Sequence, residues 1–294
     1  MKACFICNHK GLLPLMTDYI RCQNCGHEIL SSGNQQGFII NDHLSKNEIL
    51  NITGLDRFKA KTLALFDKGV TKMQLLDIGS ASGKFLFHNG FRYSQATGIE
   101  ITTEPLHFSR NILNLTIVES IQEVQGKVNF ATAWHSIEHI PEQHLLVLLE
   151  ELVKKMDNGG RLLVSVPNGI SRQYQWFGKS FAFYDVPNHL HQFTPNSLAL
   201  LMKRFGLKHI ADIQSWPYNI FGYIQGLLNL GTRSHNYLYY RLKRRSQKPS
   251  ILLDIVNTLL LPLCLPAGFM LGLFDIINLK KQGVITACFE KNTC

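Results

Sequence analysis

The sequence predicts an α/β fold. It is a doubly wound, mostly parallel sheet with helices on both faces, preceded by a small cysteine-rich unit and carrying a helical insertion before its last strand. Three observations lead there. From Gln74 onward, short apolar runs alternate with helix-like stretches, the pattern of consecutive βα units. The 294 residues are 45% hydrophobic, which supplies one large core plus an appendage and excludes a disordered chain. The residues that break the apolar pattern fall at the carboxyl ends of the runs, where open parallel sheets bind their ligands.

Residues 1–30 make up the cysteine-rich unit, and 31–47 (SSGNQQGFIINDHLSKN) are polar and read as a linker to a main domain over 48–294. A helix is expected from about Glu48 to Phe66, with Ile49, Ile52, Leu55, Phe58, Leu63 and Phe66 near one face. QLLDI is the first strand of the sheet, followed by a Gly/Ser turn and a helix from near Ser82. ATGIEI is the second strand, after which Thr103 caps a helix with Pro105 in its first turn. LTIVES and KVNFATAW follow as strands. The helix PEQHLLVLLEELVKKM is expected to end on Asn158-Gly159-Gly160, and RLLVSVP is the next strand. Thr194 caps the helix TPNSLALLMKRF, LKHIADIQSW is a strand, and Gly283–Phe289 supplies the last one, the seventh.

Residues 217–282 depart from this pattern and form the insertion. No Asp or Glu occurs from Ile213 to Leu253, whereas Arg233, Arg241, Lys243, Arg244, Arg245 and Lys248 are basic. A strongly apolar stretch, ILLDIVNTLLLPLCLPAGFMLGLFDIINL, comes next and contains Pro262 and Pro266. Basic residues ahead of an apolar stretch point to peripheral contact with an anionic membrane through 233–279. Leu259–Phe274 is short and proline-broken for a spanning helix, which needs about 20 apolar residues, so a re-entrant or interfacial hairpin is expected. A lid on the domain and a homodimer interface are equal alternatives.

The net charge of +9 suits an anionic membrane, RNA or an acidic substrate without choosing among them. The opening residues, MKACFICNHK, lack the continuous apolar run of a signal peptide, and the cysteine usage fits a reducing compartment. A cytoplasmic protein, peripheral on the inner face of the membrane, is the expectation.

Four of the seven cysteines fall in two CxxC pairs, Cys4/Cys7 and Cys22/Cys25, separated by fourteen residues. Each pair can present two thiolates to one tetrahedral ion, so a structural zinc ribbon is predicted, with metal binding supplying the folding energy of so small a unit. Sulfur fills all four positions, which leaves His9 and His27 redundant as ligands. Two separate redox dithiols are the alternative. Cys264, Cys288 and Cys294 are scattered.

The sharpest local signal is Leu75-Leu76-Asp77-Ile78-Gly79-Ser80-Ala81-Ser82-Gly83, an apolar strand running into an Asp-x-Gly-x-x-x-Gly loop and then a helix. Gly79 permits a tight turn with close ligand approach, and Gly83 permits close packing of the helix start. The spacing is not Gly-x-Gly-x-x-Gly, and Lys84 does not belong to a Gly-Lys-Ser/Thr phosphate loop. Glu100 ends the next strand, where a carboxylate can accept hydrogen bonds from both ribose hydroxyls. S-adenosylmethionine fits this pattern better than a nucleoside phosphate. A tight turn beside a surface Glu is the plain alternative.

Taken in order, LLDIGSASGKF, GIE, WHSIEHI, GGRLLVSVPN and HLHQFTPNSL resemble the class I methyltransferases, nearest the branch with ubiquinone-type O-methyltransferases and bacterial glycan or lipid methyltransferases. The resemblance spans Gln74 to Trp216 and implies the seven-stranded Rossmann-like methyltransferase sheet, its last strand antiparallel. It implies that Asp77, Gly79, Ser80 and Gly83 line the methionine end of S-adenosylmethionine. Glu100 would hold the ribose, Ile101 and Ser120 would lie at the adenine, and Trp134 or His135 would close the site. Three positions depart from the family pattern: Ala81 replaces the middle glycine, Ser120 an acid, and Asn129 an Asp.

Methyl transfer to oxygen or nitrogen needs alignment and often a general base, and His suits that role with a pKa of about 6.5. His139 is the favoured base, with His135 beside it after the fourth strand. His189 or His191, in Asp185-Val186-Pro187-Asn188-His189-Leu190-His191, is placed to cover the site and help seat the acceptor. A structural role for His139 is the alternative, and His135, Glu138 and His139 also match an inverted zincin spacing, here without a protease context. The reaction predicted is methyl transfer to a small-molecule, glycan or lipid-linked acceptor, most simply at oxygen. RNA methylation using the zinc ribbon and the basic surface, and a non-catalytic cofactor-binding scaffold, are the competing readings.

Overall fold

Every apolar run read as a strand is one. The computed structural model describes residues 3–15, 18–31, 45–67, 73–242 and 250–292. Most of the expected linker (32–44) and four of the basic residues (Lys243, Arg244, Arg245, Lys248) lie outside them, as does Cys294.

In chain order, three short strands come first: β1 (Leu12–Pro14), β2 (Tyr19–Cys22) and β3 (Glu28–Leu30). Helices α1 (Lys46–Leu50) and α2 (Gly54–Phe66) precede β4 (Gln74–Ile78), and α3 (Lys84–Asn89) leads to β5 (Gln95–Ile99). Helix α4 (Thr103–Asn111) leads to β6 (Thr116–Val118) and β7 (Val128–Trp134), and α5 (Glu142–Lys155) to β8 (Met156–Pro167). Then come α6 (Arg172–Phe177), β9 (His191–Gln192), α7 (Pro195–Arg204) and β10 (Leu207–Ile213). The insertion is helical, with α8 (Trp216–Thr232), α9 (Tyr237–Leu242) and α10 (Ile251–Phe274), and β11 (Val284–Lys291) closes the sheet.

The main sheet has seven strands in the order β10-β11-β8-β7-β4-β5-β6. The pairs among β4 to β8 are parallel, and β11 runs antiparallel between β8 and β10. Alternate strand residues feed two core layers. Leu76, Ala131 and Leu162 pack with Leu145, Leu149, Leu198 and Leu201 on one face. Leu75, Phe130 and Leu163 pack with Phe58, Leu63, Phe85 and Tyr218 on the other. Strand order reverses at β4, which opens a crevice at the carboxyl ends of β4, β5 and β7.

Several boundaries differ from those expected. The helix over 48–66 is two helices, because Thr53 and Asp56 form a capping box that starts α2 afresh. Thr102, not Thr103, is the N-cap of α4, and its side chain makes no capping bond. Helix α5 stops at Lys155, and Asn158–Gly160 already belongs to β8, so Gly159 and Gly160 are strand residues rather than a C-cap. Gly160 sits where a Cβ would be 2.9 Å from the Asp157 carbonyl oxygen.

The prolines do not break the apolar stretch. α10 is one helix of 24 residues with Pro262 and Pro266 inside it. It lies antiparallel against α8, where Gly268 and Gly272 admit Ile224 and Ile220, and Gly231 admits Leu260. One helical run among the described residues, Ile251–Ile277, is long and apolar enough to cross a membrane. Its outer side leaves Ile251, Leu259, Leu263 and Met270 about seven-tenths exposed or more.

The cysteine-rich unit is not separate from the sheet residues downstream. β3 pairs antiparallel with β9, so His191 and Gln192 complete a four-stranded sheet, β1-β2-β3-β9. Thr194 caps α7 through a capping box and donates its hydroxyl to the Cys25 carbonyl, 2.8 Å away.

Candidate active site and metal centre

The crevice at the switch in strand order is a cavity of about 1720 Å³. Pockets of about 300–1,000 Å³ hold a typical small ligand, so this one has room for two. Asp77, Gly79, Ser80, Glu100, Ile101, Ser120, Trp134, His135, His139 and His189 all line it.

The β4 loop is pinned from both sides. Gly79 has φ +69°, and a Cβ there would stand 2.5 Å from Ser136 Cβ. Ala81 also adopts the left-handed region, with φ +47°, so the residue that replaces a glycine sits in a conformation that favours one. The Ala81 N–H donates to Glu100 Oε2 at 2.8 Å. Glu100 is buried, and its other oxygen accepts from the N–H groups of Ile101 (2.9 Å) and Thr102 (2.8 Å). The carboxylate at the end of β5 is thereby held beside the β4 loop. Gly83 does not line the cavity. It packs inward, where a Cβ would meet Leu115 Cδ1 at 2.5 Å, so it serves helix packing.

Asp77 is buried and accepts from Thr132 Oγ1 at 2.6 Å. Burial raises its carboxyl to about 7, against the opposing pull of that bond and of Lys59. Lys59 was not read from the sequence. It comes from α2, its ammonium lies 5.4 Å from the Trp134 ring centroid, and burial lowers its pKa. Ser120 turns its hydroxyl to Glu123 at 2.9 Å. Asn129 bridges Gln74 N (2.8 Å) and Asp157 (2.6 Å), a structural clamp away from the cavity.

The histidines separate into two groups. His139 lies on a single 3₁₀ turn, Ile137–His139, and His189 on the loop before β9. Two bonds zip these segments together: the Leu190 N–H donates to the Glu138 carbonyl at 2.9 Å, and the His139 Nδ1–H to the Asn188 carbonyl at 2.9 Å. The His139 and His189 ring centroids are 4.6 Å apart. His189 donates its Nδ1–H to the Phe183 carbonyl at 2.9 Å, and burial lowers its pKa to about 4, so it is neutral at pH 7. His135, with φ +52°, stacks on Phe183 and turns Nδ1 to within 3.3 Å of Glu138.

His191 is elsewhere. It is buried among Phe5, His27 and Phe193, with Nε2 2.9 Å from the Ile140 carbonyl, and it does not reach the cavity. Its place is in the contact between the cysteine-rich unit and the sheet, not with the acceptor.

The insertion supplies one wall of the cavity. Tyr218 and Phe221 of α8 and Tyr239 and Tyr240 of α9 line the cavity opposite the β4 loop, with Phe183 between them. The buried polar atoms Trp134 Nε1, His135 Nε2 and Ser136 Oγ have no partner among the described residues. They mark the polar end of a site that a ligand would satisfy.

The four N-terminal cysteines converge. Cys4 and Cys25 sulfurs are 3.7 Å apart and those of Cys7 and Cys22 3.6 Å, and all four lie within 4.8 Å of one another. Zinc–sulfur bonds of about 2.3 Å in a tetrahedron separate sulfurs by about 3.8 Å. The two turns are built alike. Cys4 N donates to His9 O and Asn8 N to Cys4 O; Cys22 N donates to His27 O and Gly26 N to Cys22 O. Asn8 (φ +58°) and Gly26 (φ +74°) take matching left-handed positions. The set could hold one tetrahedral ion.

A family described as a methyltransferase domain matches residues 52–211. No curated protein matches the chain. Among solved structures, the cyclopropane synthase MmaA2 from Mycobacterium tuberculosis superposes with a TM-score of 0.53 at 11% identity, over 86% of this chain and 88% of that one. The [4+2]-cyclase SpnF gives 0.52 at 14% identity, over 88% and 87%. Haemonchus contortus phospholethanolamine N-methyltransferase 2, in complex with phosphomonomethylethanolamine and S-adenosylhomocysteine, gives 0.51 at 13% identity, over 81% of this chain and 53% of that one. These likenesses concern the fold.

Proposed function

The chain belongs to the methyltransferase-domain family, and we propose that it moves the methyl group of S-adenosylmethionine to an oxygen of a small or lipid-linked acceptor. The observation that carries this reading is Glu100, buried at the end of β5 and braced against the Ala81 amide on the edge of the large cavity. A carboxylate offers about four acceptor sites, and three are used by backbone amides, so one ribose hydroxyl takes the remaining lone pair and a second replaces an amide. Asp77 receives the methionine ammonium, and Lys59 supplies a cation for its carboxylate. A protein of the same fold holding S-adenosylhomocysteine supports the choice of cofactor.

The acceptor lies between the β4 loop and the aromatic wall of α8 and α9. His139 accepts its hydroxyl proton at Nε2 as the acceptor oxygen bonds the methyl carbon and the carbon–sulfur bond breaks, leaving neutral S-adenosylhomocysteine. His189 stands beside it and orients the acceptor. Because the wall and the exposed apolar helix α10 belong to one insertion, an acceptor held at a membrane surface would reach the cavity from that side. A cytoplasmic protein bound peripherally to the inner leaflet through 233–279 is the corresponding location. The N-terminal thiolates bind one structural zinc ion.

Calorimetric titration with S-adenosylhomocysteine tests the cofactor. Micromolar binding is expected, weakened about 10- to 100-fold in Glu100→Ala, as befits a lost charge-assisted bond. No binding at millimolar ligand would remove the assignment. Transfer of labelled methyl to glycan, quinone or lipid fractions identifies the acceptor, and flotation with phosphatidylglycerol vesicles tests the membrane contact.

A further inference from the structure

We propose that Glu138, His139 and His189 form a binding site for one divalent first-row metal ion on the acceptor side of the cavity, distinct from the four-cysteine centre. The donor atoms of these three residues lie within 4.8 Å of one another. An ion with bonds of about 2.1 Å would need them at roughly 3.4 Å, a side-chain adjustment rather than a rearrangement. The residues offered are two imidazoles and a carboxylate, donors that suit Mn, Fe, Co or Zn.

The orientation of each group favours an ion over an internal hydrogen-bond network. His139 and His189 each direct Nδ1 at a backbone carbonyl, of Asn188 and Phe183, and a carbonyl can only accept. Both protons are therefore on Nδ1, and both Nε2 atoms carry a lone pair. Metal-ligating histidines are oriented in this way. Glu138 is fully buried, and neither carboxylate oxygen has a hydrogen-bond partner among the described residues. His135 Nδ1 lies 3.3 Å from Oε1, an ion pair when that imidazole is protonated. A carboxylate and two imidazoles, each with its lone pair on Nε2, thus converge on one place. A buried carboxylate left so is costly, and a cation resolves it. The constellation differs from the inverted zincin spacing, since His189 from a separate loop takes the place of His135.

The existence of the site stands on these residues; its catalytic use rests on the methyl-transfer reading. With the ion bound, His139 holds metal rather than a proton. An ion held there would lower the pKa of an acceptor hydroxyl and so take over the role given to His139 in the metal-free site.

Zinc-loaded full-length protein titrated with Co²⁺ gives the test. One equivalent is expected to bind, with visible ligand-field bands but no sulfur charge-transfer band, and affinity falling at least tenfold in Glu138→Gln and in His189→Ala. S-adenosylhomocysteine affinity, measured in parallel, should stay within about threefold in both. In the parent protein, the ring resonances of His139 and His189 should shift or broaden at one equivalent, a readout that needs no substitution. No Co²⁺ binding beyond the thiolate centre, or unmoved His139 and His189 resonances, overturns the site and leaves the cofactor reading intact. Co²⁺ bound with these signatures but no affinity for S-adenosylhomocysteine sustains the site and removes the methyl-transfer reading instead.

Discussion

The Nδ1–H of His139 donates to the carbonyl oxygen of Asn188, 2.9 Å away, so a loop that precedes β9 fixes the tautomer of a residue that follows β7. The proton sits on Nδ1 and the lone pair on Nε2. His139→Ala should lower kcat by about 10²–10⁴-fold while S-adenosylhomocysteine affinity changes less than about threefold. Steady-state kinetics with calorimetry reads both, and unchanged turnover across pH 5–9 would rule out His139 as the base.

Asp77 gives the cofactor a pH dependence with a definite sign. Its carboxyl titrates near 7 in the ligand-free protein because it is buried. On the proposed reading the cofactor ammonium pairs with the ionised form, so affinity should fall as pH drops below 7, by up to about tenfold per unit. Above a pH of about 8 the ligand's own amine loses its proton and affinity falls again. Asp77→Asn should remove the acid limb and leave the alkaline one; an acid limb that persists in Asp77→Asn contradicts the assignment.

Thr194 couples the four-cysteine centre to the site. Its hydroxyl caps α7 and reaches the Cys25 carbonyl, and the segment just before it carries His189 and β9. Stripping the metal with a strong chelator should deprotect amides 188–193 in hydrogen exchange, and Thr194→Val should cost about 1 kcal/mol of stability. Protection that survives chelation would separate the two regions.

Ala81 sits at φ +47°, in the left-handed region. Ala81→Gly should raise stability by about 1 kcal/mol, read as a higher denaturant midpoint, with cofactor affinity held or improved. A loss of stability would mean that the alanine methyl packs better than its backbone suffers.

Much of this architecture was legible because buried parallel strands write themselves as apolar runs. QLLDI, fully buried along its length, and VNFATAW stand where they were expected, and so do Asp77, Gly79 and Glu100. Local turn chemistry was read less well. Asn158-Gly159-Gly160 has the composition of a helix cap, but the chain enters β8 at Met156 and uses Gly159 for a left-handed φ of +74° and Gly160 for close backbone approach. Contacts between distant segments left no local trace. Nothing near Lys59 indicates that α2 delivers it to Trp134, nor does a tyrosine pair in the insertion announce that it walls a cavity. His191 looked equivalent to His189 at two residues' distance, but His189 lies on the loop before β9, whereas the pairing of β9 with β3 carries His191 toward Phe5 and His27.

The pairing of β3 with β9 has a consequence for synthesis. Glu28 and Ile29 meet their strand partners, Gln192 and His191, only after more than 160 further residues have emerged from the ribosome. Until then the edge of β3 has no partner from β9, and on the proposed zinc reading metal capture by the cysteines would hold that early segment in its fold. On that reading, a shortage of the ion should show first as aggregation of newly made chains.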